Sequence, residues 1–110
     1  AQAEKLMADC QAVVEAGAAI LLLECVPAEL AKKVRATFPV PVIGIGAGVE
    51  CDGQVLGMHD MLGVYTRKPA KFVKDFLTDE HNESKDITGA FKAYHKAVKD
   101  RTFPTPAHSF

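Results

Sequence analysis

Hydrophobic residues near the beginning of the sequence recur at helical spacing. Residues 2–16 place their charged and amide side chains mostly on one side of a helix, and Gly17 favours a helix end after them. Such a pattern indicates a helix that packs one face against a core. The apolar face consists of Leu6, Met7, Cys10, Val13 and Val14.

Two apolar runs separated by a second helical pattern follow. Residues 20–25 predict a strand, and because this strand is apolar on both faces, we expect an interior parallel strand covered by helices. Residues 28–37 predict a helix, and Pro27, directly before them, is suited to a helix start. Residues 42–46 predict a second strand. This order predicts an α/β fold with parallel strands. The inward face of the helix consists of Leu30, Ala31, Val34 and Phe38.

The pattern is less regular after residue 50. Asp52 and Gly53 indicate a turn, and residues 54–64 fit either a third strand in their first half or a short helix. Pro69 predicts the start of a further helix, and the polar residues 78–85 predict an exposed loop. The inward face of that helix is expected to consist of Phe72, Val73, Phe76 and Leu77.

A capped helix and a proline-containing tail come last. Asp86 is a suitable N-cap, and residues 102–110 hold two prolines that predict an irregular tail. The residues expected to share one face of this last helix are Phe91, Tyr94, Ala97 and Val98.

Composition excludes several classes of function. The chain has 110 residues, 48% hydrophobic, with a net charge of −1, so we expect one unit and no nucleic-acid or membrane partner. The longest uncharged apolar stretch, residues 16–23, is too short to cross a bilayer. Three widely spaced cysteines predict neither a zinc site nor a disulfide framework and favour a reducing cytoplasm. Because the first residues lack a methionine and are already helical in pattern, we expect part of a longer protein.

Glu24 is the strongest candidate for chemistry. It ends the first apolar strand, and parallel βα folds bind ligands at the carboxyl ends of their strands. Because an unpaired buried carboxylate is costly, its position favours a general base over a structural acid paired with a Lys or Arg. Leu22 and Glu24 are expected on one face of the strand, and Leu23 and Cys25 on the other.

Other candidates carry weaker signals. The glycines of residues 44–48 do not have the spacing of a dinucleotide fingerprint, so they indicate either room for a ligand or close strand–helix packing. His59 and Asp60 are neighbours that would point to opposite faces of a strand, and we assign them no role. Cys10 and Cys25 are expected to be buried small hydrophobic residues rather than nucleophiles.

Several segments, taken together, resemble the ketopantoate (3-methyl-2-oxobutanoate) hydroxymethyltransferase family. The resemblance covers the whole chain and implies the C-terminal part of a (β/α)8 TIM barrel, with about three parallel strands and flanking helices. It makes residues 1–110 a single partial domain, with residues 86–110 as a C-terminal helix and tail. The segments are LLLECVPAELAKKV (21–34), PVIGIGAG (41–48), CDGQVLGMHDMLG (51–63), KPAKFVKDF (68–76) and FPTPAHSF (103–110).

The resemblance also implies a reaction. Enzymes of the family transfer a one-carbon unit from 5,10-methylenetetrahydrofolate to 3-methyl-2-oxobutanoate, giving 2-dehydropantoate in pantothenate and coenzyme A biosynthesis. Glu24, in the motif LECVP, would be the general base that removes the C3 proton. Mg²⁺ would bind the keto acid through ligands in the N-terminal part, so no metal ligand is expected in this chain, and the chain alone is expected to be inactive.

Members of the family form homodecamers, so the resemblance implies a homo-oligomer in which the last helix and the tail are interface elements rather than site elements. Two alternatives remain open on the residues alone. One is a stand-alone α/β phosphate- or nucleotide-binding module that uses residues 44–48, and the other is a non-catalytic fragment.

Overall fold

The computed structural model describes all 110 residues, and its first half is a strand–helix–strand unit preceded by a helix. The elements are α1 (Gln2–Glu15), β1 (Leu21–Glu24), α2 (Ala28–Thr37), β2 (Val42–Ile45) and the short β3 (Gly53–Gln54). The three strands form a parallel sheet in the order β1-β2-β3. The α/β class and the parallel strands agree with the prediction, and the bounds of α1, β1, α2 and β2 agree to within about two residues.

One face of the sheet packs against α1 and α2. Alternate residues of β1 and β2 point to this face, and the apolar stripes of the two helices cover them, as predicted. The buried residues of this first cluster are Cys10, Leu21, Leu23, Val26, Ala31, Val34, Phe38, Val42, Ala47 and Cys51.

The other face of β1 is uncovered, so the prediction of an interior strand is wrong for this chain. Leu22 is 60% exposed and Glu24 is exposed, while Leu21 and Leu23 are buried. β1 pairs only with β2 and therefore lies at the edge of the sheet. The physical reason is that α1 and α2 lie on the same side of the sheet, and the opposite face of β1, which carries Leu22, is left uncovered.

The second half of the chain is held by a separate apolar cluster. It contains the short α3 (Met58–Met61), α4 (Ile87–Lys99) and a 3₁₀ turn (Pro106–His108). Residues 54–64 were expected to form either a strand or a short helix, and this region holds both: the two-residue β3 at its beginning and the four-residue α3. The buried residues of this second cluster are Leu56, Met61, Phe76, Ala90, Ala93 and Phe103.

The helix predicted from Pro69 does not form. The main-chain N–H of Phe76 donates to the carbonyl oxygen of Met61 (2.7 Å), and the N–H of Leu77 donates to Oδ1 of Asp75 (2.8 Å). These bonds take the donors that a helix would use, because an Asp side chain can compete with helical main-chain bonding. The inward residues were nevertheless identified correctly, since Phe76 is fully buried.

Residues 78–85 form an irregular and mostly exposed loop, as predicted, but Asn82 is an exception. Its side chain is buried, and its amide donates to the carbonyl oxygens of Leu77 (2.9 Å) and Asp86 (3.1 Å). Its Oδ1 accepts from the main-chain N–H of Lys85 (3.1 Å). One side chain therefore supplies the bonds that this irregular segment would otherwise lack.

The start of α4 was predicted correctly, and of the four residues expected to share a face, Tyr94, Ala97 and Val98 pack against the second cluster but Phe91 does not. Asp86 caps the helix by accepting from the main-chain N–H of Gly89 (2.7 Å). Ala90 and Ala93 are the buried residues, whereas Phe91 is 43% exposed. The tail after α4 is also more ordered than expected, since it contains the 3₁₀ turn and the buried Phe103.

A group of charged residues forms hydrogen bonds and ion pairs beside the amino end of β2. Oδ2 of Asp52 accepts from the main-chain N–H of Val42 (2.8 Å), and Oδ1 accepts from Nε of Arg35 (2.9 Å). A guanidinium nitrogen of Arg101 lies 3.0 Å from the Glu50 carboxylate, which ties the end of α4 to the same region. The Val42 N–H and then the Arg35 guanidinium lower the pKa of Asp52 below its ordinary value.

We expect Asp52→Ala to destabilise the 110-residue chain by about 1–2 kcal/mol at pH 7, a range reduced for the 35% exposure of this side chain. Because the folded-state pKa is lowered, the stabilisation is complete above the unfolded-state pKa of about 3.9 and is lost as the pH falls through the folded-state value. Urea unfolding at pH 7 and at lower pH measures this difference, which should shrink in acid. Asp9→Ala, which removes the exposed ion pair with Lys5, is the control and should change stability by less than about 0.5 kcal/mol. A difference for Asp52→Ala that does not depend on pH would contradict this assignment.

Candidate functional site

Glu24 lies at the carboxyl end of β1, where the sequence placed it. It is paired across the sheet with Ile45, the last residue of β2, and the N–H of Cys25 donates to the carbonyl oxygen of Ile45 (2.9 Å). Leu22 and Glu24 share the face that points away from α1 and α2. The two strand ends therefore form one edge, with the Glu24 carboxylate on its uncovered side.

The Glu24 carboxylate has no partner within the chain. It is exposed, so the expectation of a buried carboxylate is wrong for this chain, and it takes part in none of the salt bridges, which join other residues. The alternative of a structural acid paired with a Lys or Arg therefore finds no support. Both carboxylate oxygens are free to accept a proton or a hydrogen bond from a bound molecule.

The expectation that Cys25 is buried is wrong. Cys25 is exposed and has a φ of 53°, because the chain turns away from the sheet directly after Glu24. Cys10 is buried, as predicted, and burial raises the pKa of its thiol. Cys51 is also buried, and burial raises its pKa too, so both buried thiols are structural apolar residues.

The glycines after β2 serve close packing. Gly48 has a φ of 84°, and a Cβ atom at this position would lie 2.5 Å from Cβ of Ala28, at the start of α2. No helix begins directly after this segment, since β3 follows it. The geometry therefore favours strand–helix packing over a phosphate-binding loop of the kind that leads directly into a helix.

The tail returns to the same edge, which the sequence did not predict. The main-chain N–H of Ala28 donates to the main-chain oxygen of Phe110 (3.1 Å), and the Phe110 ring lies near Gly46. The tail thus reaches the strand ends through Phe110, and its assignment to a subunit interface rather than to a site stays a prediction. No local pattern could have indicated this contact, because it joins residues that are far apart in the sequence.

His59 and Asp60 lie on α3 rather than on a strand, so the expectation of opposite strand faces does not apply. His59 is exposed and Asp60 is half-buried.

On the outer side of α4, Ile87 is 59% exposed along with Phe91, and the assignment of this helix to a subunit interface stays a prediction.

The chain offers no arrangement of side chains suited to a metal ion. No group of three or more His, Cys, Asp or Glu side chains lies close enough to hold one. Mg²⁺ prefers several oxygen ligands in octahedral geometry, and Glu24 alone does not fit that requirement. Separately, none of the helices is long and apolar enough to span a lipid bilayer.

Comparison with known proteins gives a family for this chain. The family model of ketopantoate hydroxymethyltransferase matches residues 1–106. The 3-methyl-2-oxobutanoate hydroxymethyltransferase of Psychrobacter cryohalolentis is 58% identical over 107 residues, covering 97% of the chain and 40% of the relative. The enzyme of the same name from Acinetobacter baylyi is 58% identical over 109 residues, covering 98% of the chain and 40% of the relative.

The chain thus spans about 40% of the length of these curated relatives. The strand end that carries Glu24, the glycine segment and the second apolar cluster all lie within the residues that the family model matches. On the match to the family model and the identity to these relatives, the chain belongs to the ketopantoate hydroxymethyltransferase family.

Proposed function

We propose that this chain is part of an enzyme that moves a hydroxymethyl group from 5,10-methylenetetrahydrofolate to 3-methyl-2-oxobutanoate, giving 2-dehydropantoate. In this proposal Glu24 is the general base. The observation that carries it is the unpaired Glu24 carboxylate at the carboxyl end of a parallel strand, on the face that the helices leave uncovered. The family membership supports the reaction class.

The proposal includes a complete (β/α)8 barrel. The sheet is open at both edge strands, β1 and the short β3, and has an uncovered face that carries Ile20 and Leu22, each more than half exposed. Open edges and exposed apolar faces favour pairing with further strands. In a closed barrel the Leu22–Glu24 face would be the interior, and the carboxyl ends of the strands would form the active-site end.

Glu24 would act on the proton at C3 of the keto acid. Removal of this proton gives an enolate, because the neighbouring ketone takes up the charge. A carboxylate within hydrogen-bond reach can take the proton as that charge develops, which contributes about 10²- to 10⁴-fold to a rate. Both oxygens of the Glu24 carboxylate are without a partner in the chain, so either can accept this proton.

The enolate then takes up the one-carbon unit from the donor. C3 of the enolate forms a bond to the one-carbon unit, whose bonds to the two folate nitrogens break, and a water molecule supplies the hydroxyl oxygen. The products are 2-dehydropantoate and tetrahydrofolate, and the proton taken by Glu24 returns to the leaving folate nitrogen or to water. Donor, keto acid and one water thus account for both products.

Mg²⁺ is implied by the family resemblance, but the described side chains do not form a site for it. Any magnesium ligands would belong to residues outside these 110.

The isolated 110-residue chain is expected to show no turnover with keto acid, donor and magnesium. A chimera, made by replacing the matched segment of the Psychrobacter cryohalolentis relative with this chain, is expected to be active because the chain is 58% identical to that segment. Release of tetrahydrofolate measures both. Steady turnover by the isolated chain would contradict the first expectation, and a folded but inactive chimera would contradict the proposed function.

A further inference from the structure

Two aromatic rings lie over the carboxyl end of β2. A Cβ atom built on Gly46 would lie 2.9 Å from the ring of Phe72 and 3.3 Å from the ring of Phe110. Gly46 directly follows Ile45, the residue paired with Glu24. The two rings therefore border the strand ends at which Glu24 is placed.

The Phe110 ring is held in place but is not buried. Its main-chain oxygen accepts from the N–H of Ala28, and its residue is 49% exposed. The tail before it is folded by two bonds, from the N–H of Thr105 to Nδ1 of His108 (3.2 Å) and from the hydroxyl of Ser109 to the carbonyl oxygen of Thr105 (2.8 Å). An aromatic ring whose backbone is fixed offers contact area with little entropy left to lose on binding.

Lys71 adds a positive charge at the outer side of this ring. Its ammonium nitrogen lies 5.3 Å from the centroid of the Phe110 ring. None of the salt bridges of the chain involves Lys71, so its charge is available to an anion. A half-exposed ring beside a free ammonium group matches a ligand that joins a planar ring system to a carboxylate.

We propose that Phe110 and Lys71 bind the one-carbon donor at the active-site end of the barrel. The Phe110 ring packs against the p-aminobenzoyl ring of the reduced folate, and the Lys71 ammonium lies beside the carboxylates of the glutamyl group attached to that ring. Of the two proposed substrates, only the donor has both an aromatic ring and a carboxylate a few bonds away from it. The inference rests on the proposed function, since it assigns the folate to this site.

The test compares Phe110→Leu with Phe110→Tyr in the active chimera. Loss of the aromatic face is expected to raise KM for 5,10-methylenetetrahydrofolate by about three- to tenfold, with KM for the keto acid and kcat within about twofold of the parent. Phe110→Tyr keeps the ring and should restore the parent value. Phe91→Leu, at an exposed position of α4, is the matched control and should change neither constant.

Lys71→Met tests the charge separately. It is expected to raise KM for the donor by about two- to fivefold at low salt, and the difference should shrink at high salt because exposed charges are screened. Lys71→Arg should restore the parent value. Lys92→Met, an exposed lysine on α4, is the control.

A donor KM unchanged by Phe110→Leu, or a rise shared equally by both substrates, would overturn the inference while leaving the proposed function intact. Calorimetric titration of the same proteins with tetrahydrofolate gives the comparison without turnover. There, equal dissociation constants for the parent and Phe110→Leu overturn the inference even if the chimera is inactive. A three- to tenfold weaker binding by Phe110→Leu supports it.

Discussion

Replacing Glu24 by Gln in the chimera is expected to lower kcat by about 10²- to 10⁴-fold, the usual contribution of a positioned general base. Gln has nearly the same shape but cannot take up a proton at neutral pH. Because Glu24 makes no hydrogen bond or salt bridge within the chain, the substitution removes no structural contact that the chain itself provides. Release of tetrahydrofolate under saturating substrates gives the measurement.

The control for this experiment is Glu29→Gln, which makes the same chemical change at an exposed position in the first turn of α2. It should leave kcat within about twofold of the parent. Thermal unfolding of the three proteins should give nearly equal midpoints. A kcat for Glu24→Gln that equals the kcat of the control would argue that another group takes the proton.

Replacing Phe76 by Ala is expected to destabilise the 110-residue chain by about 3–5 kcal/mol. Phe76 is fully buried, and its ring centroid lies 5.3 Å from the ring centroids of both Tyr94 and Phe103. The substitution leaves a cavity in the second cluster and removes these aromatic contacts. Urea unfolding followed by circular dichroism measures the effect.

Phe91→Ala is the matched control, because Phe91 is an aromatic residue that is 43% exposed on α4. It should cost less than about 1 kcal/mol. Equal losses for the two substitutions would mean that residues 72–77 do not pack as described. The result also bears on the site, since Phe103 belongs to the same cluster and begins the tail that carries Phe110 to β2.

The first half of the fold follows from local pattern alone. The helix expected over residues 28–37 is α2 (Ala28–Thr37), and the strand expected over residues 42–46 is β2 (Val42–Ile45). Both have strong periodicity and clear end signals in Pro27 and Pro39. Propensity, pattern and packing agree here, and local reasoning is therefore sufficient.

Residues 69–85 could not be predicted in this way, because their structure depends on particular side-chain hydrogen bonds. Residues 72–77 have a helical pattern of apolar residues, yet the Asp75 carboxylate and the carbonyl oxygen of Met61 take the donors that a helix needs. Asn82 is polar and was therefore expected in water, but its amide satisfies buried carbonyl groups. Which partner a polar side chain chooses depends on tertiary contacts that a one-dimensional pattern does not contain.

The candidate site was also predictable only in part. The place of Glu24 follows from strand alternation and from its position at the end of an apolar run, and the structure has it there. The exposure of Cys25 was missed because the chain leaves the strand with a positive φ one residue earlier than expected. The approach of Phe110 to Gly46 was missed because the tail is placed by the second cluster and by its bond to Ala28.

Exchange of the C3 proton of 3-methyl-2-oxobutanoate in deuterium oxide tests the role of Glu24 most directly, because it reports proton removal without the later transfer. Proton NMR of the keto acid with the chimera and magnesium, in the absence of donor, should show loss of the C3 signal at a rate proportional to enzyme concentration. With Glu24→Gln the rate is expected to fall by about 10²-fold or more. Exchange at the parent rate in the Glu24→Gln protein would contradict the assignment of Glu24 as the base.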